Sequence, residues 1–324
     1  MSYGDGWHDV IEESPASRES GKPSIEQHLT FLHFAEDGKL LLGSCNFVDR
    51  THTGSIWAFS QPDLPVTAEN SIARHLCASP VSSGIFVGVN QVIVAEDTGI
   101  VVSYQLSEFE NNVVHFVPQH YTQPHDSWVT SLSLCHGGSD VISGGADMRI
   151  NVLEGKGSAV KTSYYPAHAE LISCVAASPD NSSVFASCSM DRTTLLWDTR
   201  ISRPAKAIVE GDCGYTAVAW KNENYLAIGS EMGMVHVYDV RSLESVHDLP
   251  LQKMPVHKLA FSNAGLLASC SDSTDIRLWR FESNKMLLPE SQHSMFIRDL
   301  AWHPKSETLY SCGLDGNVFC YPFS

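Results

Sequence analysis

The 324-residue chain is short of positive charge: 21 Lys and Arg stand against 37 Asp and Glu, a formal net charge of −16. Phosphate backbones are held by clustered Lys and Arg, so nucleic acid is excluded as the main partner. An acidic surface favours basic proteins and raises their encounter rate, although the same charge also serves plain solubility. No apolar run approaches the roughly 20 residues that a membrane helix needs, so no membrane partner is expected. Residues Met1 to Asp9 are polar and acidic and carry neither the basic nor the apolar part of a signal peptide. The nine cysteines include no Cys-x-x-Cys pair, and an odd number at scattered spacings fits a reducing compartment better than a disulfide framework. An intracellular protein is expected, in which the sequon Asn181-Ser182-Ser183 is a chance match.

Catalytic and ligand motifs are missing as well. There is no Gly-x-Ser-x-Gly elbow, no His-Glu-x-x-His and no Walker-type loop. Gly155-Lys156-Gly157-Ser158 lacks the spacing and the following helix of a phosphate site and reads as a turn. His115, His120 and His125 fall at intervals of five in a connecting segment, with no fourth ligand or second cluster beside them. Neither a metal nor a cofactor is expected, and no catalytic residue can be named.

What the chain does contain is a repeat. Its clearest unit runs from Ala167-His168 through the apolar stretch 171–176 and Ser178-Pro179-Asp180, then through 184–189, to Asp191-Arg192-Thr193-Thr194-Leu195-Leu196-Trp197-Asp198. Each apolar stretch has strand length and is bounded by turn residues. With Trp197 as anchor, equivalents occur at Phe59, Tyr104, Leu153, Tyr238, Trp279 and Tyr321, at intervals of 45, 49, 44, 41, 41 and 42 residues. That is the period of a four-stranded propeller blade, and seven anchors imply seven blades.

Smaller features keep the same phase. Cys188, Cys270 and Cys312 lie nine residues before their anchors, and Gly144 and Gly229 hold the same slot. A small residue there suits close packing between blades, and a free Cys behaves as a small hydrophobe. Asp147, Asp191 and Asp315 lie six residues before their anchors, in the turn between second and third strands. His125, His168 and His293 lie seven residues before Leu132, Val175 and Leu300, which point inward. A His beside an Asp invites a catalytic reading, but an active site needs one copy and the pair recurs in blades 3, 4 and 7. A structural role is expected for these six residues and for Trp197.

The pattern resembles the WD-repeat family from about residue 24 to residue 324, which implies an all-β, seven-bladed β-propeller. In that family the His and the turn Asp hydrogen-bond within the blade, with the aromatic packed alongside. The expected organisation is residues 1–24 as closing strand and linker and 25–324 as the propeller. Blade 7 has strand-like stretches near 297–303, 308–314 and 317–323 and then reaches Ser324, so a fourth strand must come from elsewhere. The candidate is Trp7-His8-Asp9-Val10-Ile11, which would pair with blade 7 and cover an open edge.

One branch of the family is a closer match. Tyr165-Pro166-Ala167-His168-Ala169, Cys174-Val175-Ala176-Ala177-Ser178-Pro179 and Leu195-Leu196-Trp197-Asp198-Thr199-Arg200 resemble blade 4 of the WD-repeat subunits of the methylosome. Asp37-Gly38-Lys39-Leu40-Leu41-Leu42-Gly43-Ser44 and Gly54-Ser55-Ile56-Trp57 are similar to their blade 1. The resemblance implies a non-catalytic partner of a type II protein arginine methyltransferase, in a hetero-octamer, in cytoplasm and nucleus. Such a subunit helps present Arg-rich substrates, Sm proteins and histones, for symmetric dimethylation. It implies that docking uses the loop between the second and third strands of blade 1, here Asn46-Phe47-Val48-Asp49-Arg50-Thr51-His52-Thr53. Phe47, Val48, Asp49, Arg50 and His52 are thus the candidate partner-binding residues. In vertebrate members a Trp in this loop fills an apolar pocket on the methyltransferase; the matching position here is His52, and Phe47 is the other candidate anchor. A different WD-repeat adaptor, such as a ubiquitin-ligase substrate receptor, stays open, because Trp197-Asp198-Thr199-Arg200 and Arg241 after Tyr238-Asp239 suit it too.

Overall fold

A computed structural model describes residues 25–48, 51–62, 66–109, 113–135, 137–138, 140–249, 254–283, 285–287 and 292–323. Runs of Val, Ile, Leu, Ala and Ser broken by polar turns fold into seven antiparallel sheets. Blade 1 holds β1 (Leu29–Phe34), β2 (Leu40–Val48), β3 (Thr51–Phe59) and β4 (Ala73–Cys77), and blade 2 holds β5 (Val81–Phe86), β6 (Gln91–Glu96), β7 (Val101–Glu108) and β8 (Val114–Thr122). Blade 3 holds β9 (Val129–Leu134), β10 (Val141–Gly145), β11 (Ile150–Leu153) and β12 (Val160–Tyr164). Blade 4 follows with β13 (Ile172–Ala177), β14 (Val184–Ser189), β15 (Thr193–Asp198) and β16 (Lys206–Glu210). Blade 5 holds β17 (Tyr215–Asn222), β18 (Tyr225–Ser230), β19 (Val235–Asp239) and β20 (Glu244–Leu249). Blade 6 holds β21 (Val256–Phe261), β22 (Leu266–Ser271), β23 (Ile276–Arg280) and β24 (Lys285–Leu287). In every sheet the strands stand side by side in chain order.

Blade 7 has three strands among the described residues, β25 (Ile297–Trp302), β26 (Thr308–Gly313) and β27 (Val318–Pro322). The expected closing strand at residues 7–11 lies outside the described residues. The ring is closed independently by packing, because blade 7 lies against blade 1. Tyr310, Cys312 and Val318 share an apolar cluster with Leu29, Leu32, Trp57 and Phe59. The backbone N–H of Leu32 donates to Asp299 at 3.0 Å, and the Nδ1 of His28 donates to the carbonyl of Leu314 at 3.0 Å.

Six further clusters of this kind fill the remaining interfaces between neighbouring blades. The core is therefore a ring of seven two-sheet sandwiches, and removing apolar area from water at each interface drives closure.

The repeat phase is the register of the sheets. All seven anchors sit in third strands, each opposite the same position of the second strand: Leu40–Phe59, Val92–Tyr104, Val141–Leu153, Phe185–Trp197, Leu226–Tyr238, Leu267–Trp279 and Leu309–Tyr321. Three positions further along the second strand comes the small slot, now filled in all seven blades by Gly43, Ala95, Gly144, Cys188, Gly229, Cys270 and Cys312. Its reason is steric. A Cβ at Gly144 would stand 2.9 Å from Ile172 of the next blade, and one at Gly229 would stand 2.7 Å from Val256. The three cysteines in the slot are fully buried.

Two local expectations change. His115 and His120 lie in β8, the outer strand of blade 2, and not in a connection. The stretch Asn46–Thr53 is not a loop: β2 and β3 stay paired through Asn46–Thr53, Phe47–His52 and Val48–Thr51.

Candidate partner-docking face

Connections between second and third strands, and those leading into the next blade, emerge on one face of the ring. The blade 1 hairpin dominates that face. In the other six blades the ladder between second and third strands ends at the small slot, as at Cys188–Thr194, Cys270–Ile276 and Cys312–Val318. In blade 1 it continues past Gly43–Ile56 through five more pairs to Val48–Thr51. Of the candidate docking residues, Phe47 and Val48 are in β2 and His52 is in β3, whereas Asp49 and Arg50 lie outside the described residues. Phe47 and His52 are register partners, positions that share one face of a two-stranded ribbon. His52 is exposed.

The root of this hairpin is held by a polar network that the repeat pattern did not reveal. Glu26 accepts from the Ser55 hydroxyl at 2.9 Å and from the Asn46 amide at 2.9 Å. Ser44 and Ser55 bond at 2.7 Å, and the indole of Trp57 donates to Ser55 at 2.8 Å. The Arg74 guanidinium covers the Trp57 ring at 4.5 Å and reaches Glu26 at 3.4 Å. Ser44 and Ser55 are fully buried, so these bonds replace water that cannot enter. The one available signal was Glu26 just before the first strand.

The His and Asp expected in phase meet in all three blades. His125 Nδ1 lies 2.9 Å from Asp147, His168 Nδ1 2.9 Å from Asp191 and His293 Nδ1 3.0 Å from Asp315. A carboxylate only accepts, so Nδ1 carries the proton. Each Asp also accepts the backbone N–H that follows the His, from Asp126, Ala169 and Ser294 at 3.0, 2.9 and 2.9 Å. A third member was overlooked: Nε2 faces Ser143 at 2.9 Å, Ser187 at 2.6 Å and Ser311 at 2.7 Å. All three serines stand immediately before the small slot, a signal present in Ser187-Cys188 and Ser311-Cys312.

Serine, histidine and aspartate in that order form the relay of a hydrolase. Access decides against it at these positions. Ser143, Ser187 and Ser311 have no exposed surface, and Ser187 additionally receives the indole N–H of Trp197 at 2.8 Å. Trp197 stacks on Phe185, centroids 5.8 Å apart. No substrate atom can reach such a hydroxyl, and the trios lock the strands of each blade together. Burial lowers the His168 pKa from its ordinary value. Burial pushes Asp191 up, but hydrogen bonds from Thr193, Ala169 and His168 outweigh it and hold the carboxyl below the usual range.

The same face also exposes apolar side chains in the inter-blade connections: Trp128, Tyr165, Met254, Met295 and Phe296, with Met232 in the second turn of blade 5. On the opposite face, Arg200 and Arg241 each clasp an aspartate two residues earlier. Arg200 bonds Asp198 from Nε at 2.8 Å and Nη2 at 2.5 Å, and Arg241 bonds Asp239 at 2.9 and 2.6 Å. Among the described residues no cluster of three or more His, Cys, Asp or Glu is arranged to hold a metal.

Seven antiparallel modules in a ring, six of them four-stranded and blade 7 three-stranded among the described residues, with the in-phase His, Asp and Trp, define a WD-repeat β-propeller. A family model described as nucleolar protein 10-like, N-terminal domain, matches residues 131–308, and the chain belongs to that family of propellers. Over nearly its whole length the chain is similar to methylosome protein WDR77 of Xenopus laevis, with 28% identity across 96% of the chain and 91% of the relative. Shorter matches are to protein NEDD1 of Bos taurus, 33% identical across 29% of the chain and 16% of that protein, and to periodic tryptophan protein 2 homolog of Mus musculus, 25% identical across 37% of the chain and 14% of that protein. The chain is thus a WD-repeat propeller related to the methylosome subunit, and its role is that of a scaffold or adaptor.

Proposed function

We propose that this propeller is a non-catalytic scaffold that docks on a type II protein arginine methyltransferase through the blade 1 hairpin. The observation that carries the reading is the ladder that runs past the small slot in blade 1 alone. It carries the positions of Phe47, Val48 and His52 beyond the end of an ordinary blade ladder, on the face that gathers exposed aromatic and Met side chains, and Asp49 and Arg50 follow Val48 in the sequence. Residues on a projection over a rigid scaffold are well placed for contact, and exposed apolar groups mark contact sites more often than packing errors. The similarity to a methylosome protein along 96% of the chain supports the same partner class. The net charge of −16 supports the presentation of Arg-rich substrates, which such a field would attract. The complex is hetero-oligomeric and works in cytoplasm and nucleus.

The test is the affinity of purified Phe47→Ala and His52→Ala for the methyltransferase, with melting temperature as a folding control. With Phe47 as the anchor, Phe47→Ala weakens binding by about 2–4 kcal/mol, the range of an interface hot spot, and His52→Ala by under about 1 kcal/mol. The reverse ranking moves the anchor to its register partner. Unchanged binding by a folded Phe47/His52 double variant would falsify the docking assignment. Recovery of a cullin adaptor in place of a methyltransferase on pull-down would favour the ubiquitin-ligase alternative.

A further inference from the structure

First strands of the blades line the axis of the ring and leave two cavities of about 200 and 230 Å³. Ser131, Cys174, Lys258 and Asp299 border both, so the two meet at these side chains. Of the nine cysteines, Cys174 alone lines this axis. Its partner is close at hand. Cys174 on β13 and Cys188 on β14 are register partners, and both belong to the apolar cluster between blades 4 and 5. Opposed residues of an antiparallel pair share a face, with Cα atoms about 4.5–5.5 Å apart. That separation falls inside the roughly 4.4–6.8 Å window a disulfide requires.

We propose that Cys174 and Cys188 are a thiol pair which hydrogen peroxide entering the central channel converts into an intrachain disulfide. Cys174 is the attacking sulfur, because it faces the cavity while Cys188 is fully buried behind it. The Cys174 sulfur bonds to one peroxide oxygen and the O–O bond breaks. The second oxygen leaves as hydroxide and takes a proton from solvent. Cys188 then bonds to the Cys174 sulfur, the S–O bond breaks, and the departing hydroxide leaves as water with the Cys188 proton. Two thiols lose two electrons in all, and one peroxide is reduced to two waters.

The Cys174 thiol donates to the carbonyls of Val175 and Val218, each at 3.8 Å. The Cys188 thiol donates to its sulfur and, with Lys258 beside it, holds Cys174 below the ordinary thiol range. Ser131 Oγ stands 3.8 Å from the same sulfur. Burial pushes the Cys188 thiol up. Burial would discharge Lys258, but Asp299 at 3.1 Å outweighs it and keeps the ammonium protonated. A positive neighbour lowers a thiol's pKa and selects it for oxidation.

The pair is directly testable, because no Lys or Arg separates the two cysteines and residues 162–192 form one tryptic peptide. After brief treatment of the folded chain with hydrogen peroxide and alkylation, that peptide should be lighter by two hydrogens and carry no alkyl group. A dithiol reductant should restore both thiols. Cys45, Cys213 and Cys320 are also partly exposed and serve as internal references; Cys174 should react at least about tenfold faster than any of them. Cys188→Ser should block the disulfide and leave a Cys174 sulfenic acid that a 1,3-dione traps. Lys258→Met should slow the Cys174 reaction by about three- to tenfold. The proposal is overturned if Cys174 in the wild-type chain oxidises no faster than the three references, or if the 162–192 peptide gains oxygen without ever losing two hydrogens. Both of these readouts come from the wild-type chain and do not depend on any variant folding.

Discussion

Substituting Asp191 by Ala in blade 4 isolates what one trio contributes. Asp191 accepts from His168 Nδ1 at 2.9 Å, from the Ala169 N–H at 2.9 Å, and from the Thr193 N–H and hydroxyl at 3.0 and 2.7 Å. Ala169 is exposed and Thr193 half-buried, so water can replace the carboxylate at both. His168 is buried, and its ring N–H would be left without a full-strength acceptor. A stranded buried polar group costs about 1–3 kcal/mol, and hydrogen bonds to a charged group are worth about 1.5–3 kcal/mol. The expected loss is about 2–4 kcal/mol for Asp191→Ala. His168→Ala should lose less, about 1–3 kcal/mol, since Asp191 keeps its other donors and Ser187 keeps Trp197. The double variant should cost less than the sum by about 1–2 kcal/mol, because both changes delete the same bond. Urea unfolding followed by near-ultraviolet signal from the buried Trp197 gives the three values. Additive losses, or an Asp191→Ala chain as stable as wild type, would refute the reasoning. Loss of partner binding at unchanged stability would overturn the structural role.

Two other outcomes are expected. Glu26→Ala should weaken methyltransferase binding while Phe47 and His52 are intact, because it removes the acceptor of both Ser55 and Asn46 at the hairpin root; Glu26→Gln, which keeps one acceptor oxygen, should bind more tightly than Glu26→Ala, and equal affinities would count against a positioning role. Acid should destabilise the ring in two stages, read as the urea midpoint against pH. Burial lowers the pKa values of His33 (to about 4), His168 and His257, so the unfolded chain binds protons first and stability falls as pH drops below about 6.5. Asp147, Asp191 and Asp315 are held below the usual carboxylate range, so their contribution goes as pH falls through about 4 and below. A midpoint unchanged between pH 7 and pH 5 would contradict the histidine stage.

Much of this architecture is legible in the residues because repetition multiplies a weak signal. One strand of alternating Val and Ser says little, but Trp197, Tyr238, Trp279 and Tyr321 at nearly constant spacing tie four registers together, and the packing of the small slot follows from Cys188, Cys270 and Cys312. The same logic explains what was missed. Gly43 holds the small slot of blade 1 but lies too far before Phe59 to be found by counting, because the lengthened hairpin separates them. His115 and His120 look like a connection since β8 is an outer strand, half exposed, with Pro118 within it and little apolar alternation. Ser143, Ser187 and Ser311 were invisible as partners because serine in a strand carries no signal of its own until the ring nitrogen opposite it is placed.

Blade 1 breaks the pattern twice, and the two departures depend on each other. Its ladder runs on to Val48–Thr51, and at the position where blades 3, 4 and 7 carry the buried His it has Ile25, followed by Glu26. A two-stranded ribbon with no third strand and no apolar face beneath it is marginal in water, so a projecting hairpin needs its root fixed. A His–Asp–Ser trio could not do this, since it ties the first connection to the turn at the end of an ordinary ladder, and in blade 1 that turn has moved outward. Glu26 reaches the ladder midway instead, bonding Asn46 on one strand and Ser55 on the other. A carboxylate with two acceptor oxygens takes a bond from both strands at once, which a neutral imidazole, with a single acceptor nitrogen, cannot do. The residues that repeat hold the ring, and those that do not repeat hold the one element that leaves it.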